Sequence, residues 1–293
     1  MKKVDVIGVP MKYGCFLDGA DMAFESTRDI YENNFDNIKE IDNHVSDSSE
    51  YKKGSKLKYE SAVKEITNRL YNEVTKSLND NHFPLTIGGD HSTAIGSLSA
   101  SLEYYKGDVS VIWFDAHTDI HTEETTPSGN IHGIPLSVCI GRCKDDKLNI
   151  SKYKLDPKNL YYIGIRSYEK EEMEYIKKEN IIKYSDIDVI EKGIEKVIDE
   201  IASKIKTKYV HLSFDLDVLN DEVFPAVNVL LHKTYVSGKG LDFDIVNKGL
   251  KLLFEKLNII SMDIVEYNPL LDKNLNCKKK IEILVDTFKN YIK

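Results

Sequence analysis

One stretch constrains this chain more than any other: Val109-Ser-Val-Ile-Trp-Phe114 runs directly into Asp115-Ala-His117-Thr-Asp119. A short run rich in Val, Ile and aromatics reads as a buried strand. In extended backbone, side chains at i, i+2 and i+4 point the same way. Asp115, His117 and Asp119 therefore converge where the strand ends, which is where open α/β sheets bind ligands. Taken alone, the same pattern also suits a core strand that simply enters a polar loop.

The neighbouring segments supply the frame. Strand-like runs are expected at Val4–Val9, Ile38–Val45, Phe83–Ile87, Leu160–Ile165, Ile181–Tyr184, Tyr209–Phe214 and Ile259–Val265. Helices are expected at Met22–Tyr31, Tyr59–Leu78, Ser92–Tyr105, near Pro135, and over Lys170–Glu179, Ile187–Ile205, Leu241–Leu257 and Ile281–Ile292. In the second of these, Val63, Ile66, Leu70 and Val74 recur on one helical face. The alternation repeats without a composition break. It predicts an α/β fold with three α/β/α layers, doubly wound around a central, mostly parallel sheet, as a single domain over residues 1–293. The segment Asn220–Gly240 is irregular and fits neither element type.

Composition excludes several function classes. The chain is 41% hydrophobic and 30% charged, with a formal net charge of −8. That balance is globular and poorly suited to phosphate backbones, so no nucleic-acid partner is expected. No apolar run approaches a membrane span, and the N-terminus turns polar too soon for a signal peptide. A cytoplasmic location is the expectation. Cys15, Cys139, Cys143 and Cys277 are irregularly spaced. Cys139 and Cys143 could sit one helical turn apart, but no second pair completes a zinc site, and free thiols are expected.

Four strand ends carry polar clusters: Gly88-Gly-Asp-His91-Ser, the Asp115–Asp119 stretch, Asp215-Leu-Asp217, and Glu266-Tyr-Asn-Pro. In a parallel sheet these ends share one edge. His91, His117, Asp115, Asp119, Asp215 and Asp217 make an oxygen-rich set without thiolate, which favours hard divalent ions such as manganese over structural zinc. Four carboxylates in one crevice repel one another unless cations neutralise them, and two divalent ions roughly balance their charge. Two such ions about 3.5–4 Å apart, bridged by hydroxide, are a hydrolytic arrangement. An EF-hand starting at Asp215 is excluded, because Leu219 and Asn220 stand where an oxygen ligand and the turn glycine belong.

These residues resemble the ureohydrolases, a family that includes arginase, agmatinase and formimidoylglutamase. The likeness rests on Gly88-Gly-Asp-His91-Ser, Asp115-Ala-His-Thr-Asp119 and Ser213-Phe-Asp-Leu-Asp217, and runs from Ile7-Gly-Val-Pro to Glu266-Tyr-Asn-Pro. The segment Glu124-Thr-Thr-Pro-Ser128-Gly-Asn130-Ile-His132-Gly is most similar to arginase. The resemblance implies two Mn2+ ions per chain. His91, Asp115, Asp119 and Asp215 would hold one, and Asp115, His117, Asp215 and Asp217 the other. It also implies that Ser128 and Asn130 contact a substrate α-carboxylate, that His132 relays protons, and that Glu266 sits by the guanidinium group. Asp119 would pass the hydroxide proton to the leaving amine. The expected partner is a small guanidino substrate, and a homo-oligomer, trimer or hexamer, is implied by resemblance alone.

Three departures stand out. His121 occupies a position where many arginases carry Asn, and Glu169 one where an aspartate usually meets the α-amino group. The Gly- and Thr-rich loop that follows the last aspartate motif in the family is replaced by Asn220-Asp-Glu-Val-Phe-Pro225 and the residues up to Gly240. Hydrolysis of L-arginine to ornithine and urea is the leading expectation. A ureohydrolase for another guanidino or formimino compound, or a non-catalytic relative, remains open at this level.

Overall fold

The computed structural model describes residues 2–51, 53–144, 146–227 and 238–292. Eight strands, β1 (Val4–Val9), β2 (Asn37–Glu40), β3 (Phe83–Gly88), β4 (Val109–Phe114), β5 (Leu160–Ile165), β6 (Ile182–Ser185), β7 (Tyr209–Asp215) and β8 (Ile259–Val265), form one sheet. Their order is β2-β1-β3-β8-β7-β4-β5-β6, and every neighbouring pair is parallel. Strand alternation distributes the core to two sides of the sheet. Ile112 and Phe114 of β4 pack with one set of helices, while Val111 and Trp113 join a different apolar cluster.

The helices are α1 (Ala23–Glu32), α2 (Glu60–Asn79), α3 (Ala94–Tyr104), α4 (Pro135–Ile140), α5 (Lys170–Glu179), α6 (Asp186–Lys192), α7 (Ile194–Lys204), α8 (Phe243–Lys256) and α9 (Asn276–Phe288). Val63, Ile66, Leu70 and Val74 of α2 are wholly buried, as their spacing requires. The α/β sandwich read from the sequence is therefore the fold observed.

Several boundaries differ. The strand expected over Ile38–Val45 stops at Glu40, because β1, the strand it pairs with, ends at Val9 before Pro10. The helix expected over Ile187–Ile205 is two helices, broken at Gly193, whose φ of 83° and ψ of 138° leave the helical region. Helix α4 ends at Ile140 with Gly141 left-handed, so Cys143 lies outside it. Within Asn220–Gly240, residues 228–237 lie outside the described residues. The described part is tied down: Asn220 N–H donates to Leu241 O (2.8 Å) and Asn268 N–H to Ala226 O (2.8 Å).

The topology positions the site. The four strands whose ends carry the polar clusters, β3, β8, β7 and β4, are consecutive neighbours in the sheet. Their C-terminal edges therefore form one continuous rim.

Candidate metal centre and substrate cleft

On that rim the six candidate ligands converge. His91 Nδ1 lies 3.0 Å from Asp115 Oδ2, 3.1 Å from Asp119 Oδ2 and 3.0 Å from Asp215 Oδ2. His117 Nδ1 lies 2.8 Å from Asp217 Oδ2 and 3.7 Å from Asp115 Oδ1. Asp115 thus offers one oxygen to each group. Asp215 presents Oδ2 to the His91 group, while its Oδ1 accepts the Asp217 N–H at 2.8 Å.

His91 and Asp217 are held from behind. Trp113, buried in β4, stacks on the His91 ring at 4.1 Å with planes 4° apart. His91 Nε2 is 2.8 Å from Ser213 Oγ. Asp217 Oδ1 accepts the Ala116 N–H at 3.1 Å. Beneath His91, a side chain on Gly89 would come within 1.8 Å of the Met11 carbonyl oxygen, so only glycine allows the β3 end to approach that closely. Asp119 (φ 46°) and Glu266 (φ 68°) adopt left-handed backbone, a strain that persists at sites the surroundings over-determine.

The donor set fits divalent cations. His91 Nδ1 and Asp115 Oδ2 are buried and 3.0 Å apart, yet neither makes a hydrogen bond. With Asp119 Oδ2 and Asp215 Oδ2 equally near His91 Nδ1, these atoms form one buried donor cluster of the kind a cation could join. Burial pushes the Asp119 pKa up to about 6, with the Asp115 charge adding to it. Burial and the charges of Asp217 and Asp115 raise Asp215 as well. Burial alone would lower the His91 and His117 pKa values, but the surrounding carboxylates outweigh it and raise both. Four carboxylates buried this close together disfavour one another's charged forms, and bound divalent cations would relieve that. Two ligand groups emerge, His91 with Asp115 and Asp119, and His117 with Asp115 and Asp217.

A cleft opens over these groups. It is lined by His121, Ser128, Asn130, Glu169, His132 and Glu266 together with ligand residues such as Asp119 and Asp217. Every candidate substrate contact is therefore in the same cavity. His132 Nδ1 is 3.4 Å from Glu266 Oε1, and the Glu266 carboxylate accepts the His91 N–H at 2.9 Å. Burial lowers the His132 pKa, but the hydrogen bond and charge of Glu266 outweigh it and raise it.

Two features escaped sequence reasoning. His121 Nε2 meets Glu169 Oε2 at 2.8 Å and Glu172 Oε2 at 3.4 Å, so Glu172 completes a cluster in the cleft wall. Its signal was the Glu169…Glu172 spacing, which forms a capping box at the start of α5. Cys15, read only as a free thiol, lines the cleft beside His132 and Glu266. All four cysteines are free.

The arginase-family model matches residues 2–285. An arginase of Staphylococcus aureus (strain MRSA252) is 35% identical over 301 residues, covering 98% of this chain and 97% of that one. The crystal structure of arginase from Bacillus caldovelox matches with a TM-score of 0.87 at 32% identity, covering 99% and 98% of the two chains. Entamoeba histolytica arginase, solved in complex with L-ornithine, gives a TM-score of 0.88 at 27% identity, covering 98% and 99%.

Proposed function

This chain belongs to the arginase family of hydrolases, and on that premise we propose that it cleaves the guanidinium group of L-arginine to L-ornithine and urea, using two Mn2+ ions. The observation that carries this is Asp115 offering Oδ2 to the His91 group and Oδ1 to the His117 group. His91, Asp115, Asp119 and Asp215 would hold one ion, and Asp115, His117, Asp215 and Asp217 the other.

The ions, when bound, supply a hydroxide nucleophile near neutral pH. Glu266 holds the cationic guanidinium by charge-assisted hydrogen bonds. Its left-handed backbone and the His91 N–H fix that carboxylate at the cleft floor. The Asp119 carboxylate, which would be a ligand to one ion, would take up a proton released in the reaction and pass it to the leaving amine nitrogen. His132, half-exposed at the cleft and paired to Glu266, exchanges a proton with solvent. Ser128 and Asn130 receive the substrate α-carboxylate, and Glu169 with His121 meets the α-amino end.

One observation favours a second substrate within the same chemistry. His121 already engages Glu169 and Glu172, the carboxylates an α-ammonium would otherwise meet. A guanidino or formimino compound lacking that group would lose less here than at a site with free carboxylates.

A panel of L-arginine, agmatine, guanidino acids and formimidoylglutamate, assayed for urea or formamide with metal content measured on the same sample, tests both. Urea from L-arginine, lost in an Asp119→Asn control, supports the first reading. A metal-loaded protein inactive on L-arginine but active on another member moves the assignment to that substrate. The proposal includes a cytoplasmic homo-oligomer, and among the described residues no helix is long and apolar enough to cross a membrane.

A further inference from the structure

We infer that Cys15, His132 and Glu266 form a third cation site, selective for zinc, at the wall of the cleft beside the Asp/His centre. One sulfur, one imidazole nitrogen and one carboxylate oxygen, all within 4.8 Å of one another, come from three separate segments. Three protein ligands of these types, with a fourth position left to water, are a zinc set, whereas the neighbouring Asp/His groups contain no sulfur. His132 Nδ1 and Glu266 Oε1 are already 3.4 Å apart. Two ligands of one tetrahedral ion with bonds of about 2.1 Å stand about 3.4 Å apart.

Each of the three is held in place by main-chain bonds. His132 N–H donates to the Gly14 carbonyl at 3.2 Å, which fixes the Cys15 turn against His132. Gly14 N–H donates to the Asp90 carboxylate at 2.8 Å, and Gly14 packs so closely on Asp90 that a Cβ would reach its Oδ1 at 2.1 Å. Glu266 N–H donates to Gly89 O at 2.8 Å. Asp90 and Glu266 together make this wall electronegative. Cys15 is 8% exposed. Burial, then the charges of Asp90 and Glu266, push its thiol strongly up, so it is no nucleophile by itself and only a bound metal would remove its proton.

The site goes beyond the hydrolytic reading, and its binding does not depend on that reading. Its consequence does: zinc on Glu266 occupies the carboxylate proposed to hold guanidinium, so zinc would compete with substrate.

Cobalt(II) serves as the spectroscopic probe of the zinc position, added to the full-length protein already loaded with manganese. Thiolate ligation gives an intense sulfur-to-cobalt charge-transfer absorption, which the Asp/His centre cannot produce. The expected result is this absorption at one equivalent per chain, abolished by one equivalent of zinc and missing in Cys15→Ser. His132→Asn, a second variant, should weaken the cobalt affinity about tenfold or more. No charge-transfer absorption in the unsubstituted protein, or an undiminished one in Cys15→Ser, overturns the proposal. Circular dichroism confirms that both variants are folded. Urea production without zinc is measured separately, so a failed hydrolytic assignment and an absent zinc site give different results.

Discussion

His91 Nε2 lies 2.8 Å from Ser213 Oγ, and Ser213 in turn is 3.5 Å from the buried carboxylate of Asp263. The two residues sit on separate segments that the sheet brings together, Ser213 on β7 and His91 just after β3. His211 Nε2 (3.0 Å) and Ser97 Oγ (2.7 Å) also converge on the same Asp263 oxygen. For a ring that offers Nδ1 to an ion, Nε2 carries the proton and donates it to Ser213. Partners of this kind fix the tautomer and ring orientation of metal-binding histidines.

Ser213→Ala should therefore weaken metal binding on the His91 side about 10–100-fold while leaving the fold intact. Metal retained after dialysis against graded chelator measures this. Unchanged retention would show that Trp113 stacking alone orients the ring.

Glu172 gives a pH-dependent prediction. Burial pushes its pKa up to about 7 from 4.5, with His121 opposing and Glu169 adding to the rise. A raised folded-state value means the stability it contributes is fully present below pH 4.5 and is lost as pH rises through about 7. Glu172→Gln keeps an acceptor for the capping box but removes the ionisation. The variant should gain about 1–3 kcal/mol relative to its parent between about pH 5 and pH 8. Urea unfolding of chelated protein at both pH values checks the sign; a gain larger at the lower pH refutes it.

Arg166, wholly buried, donates from Nη2 to the Asp217 carbonyl at 2.8 Å and to Asp221 Oδ1 at 2.8 Å. It clamps a ligand-bearing turn to the segment that follows it. Arg166→Met leaves the Asp217 carbonyl without this donor while half-exposed Asp221 can turn to water. A loss of about 2–4 kcal/mol is expected, together with weaker metal binding on the His117 side. Arg166→Lys restores a charged donor on a shorter side chain that reaches the Asp217 carbonyl less well, so it should rescue stability more than metal affinity. Denaturant melts and metal titrations on both variants separate these effects.

Gly89→Ala places a methyl 1.8 Å from the Met11 carbonyl oxygen, a backbone atom that cannot rotate away. The rim between β1 and β3 must open. We expect a destabilisation of at least about 3 kcal/mol, or loss of soluble protein. A melting temperature equal to that of the parent would contradict the close approach.

Part of the centre was legible because it obeys local rules. The i, i+2, i+4 spacing of Asp115, His117 and Asp119 follows from extended backbone, and parallel strands place their C-terminal ends on one edge. The break at Gly193 was missed because the apolar spacing of the two helices continues across it, and periodicity alone does not register one non-helical residue. Glu172 was missed as a cleft residue because its spacing from Glu169 announces a helix cap and says nothing about what lies across the cleft. Arg166, Ser213 and Cys15 gave no local sign, since their partners are 51, 122 and more than 100 positions away.

Side-chain periodicity and donor chemistry along the chain were enough for the alternating strands and helices, the parallel sheet they imply and the oxygen-rich set of candidate ligands. Tertiary contacts made β3, β8, β7 and β4 adjacent, divided the two oxygens of Asp115 between His91 and His117, set His121 against Glu169 and Glu172, and brought Cys15 to His132 and Glu266. Those relations depend on strand order and on the approach of distant segments, which no local pattern along the chain encodes.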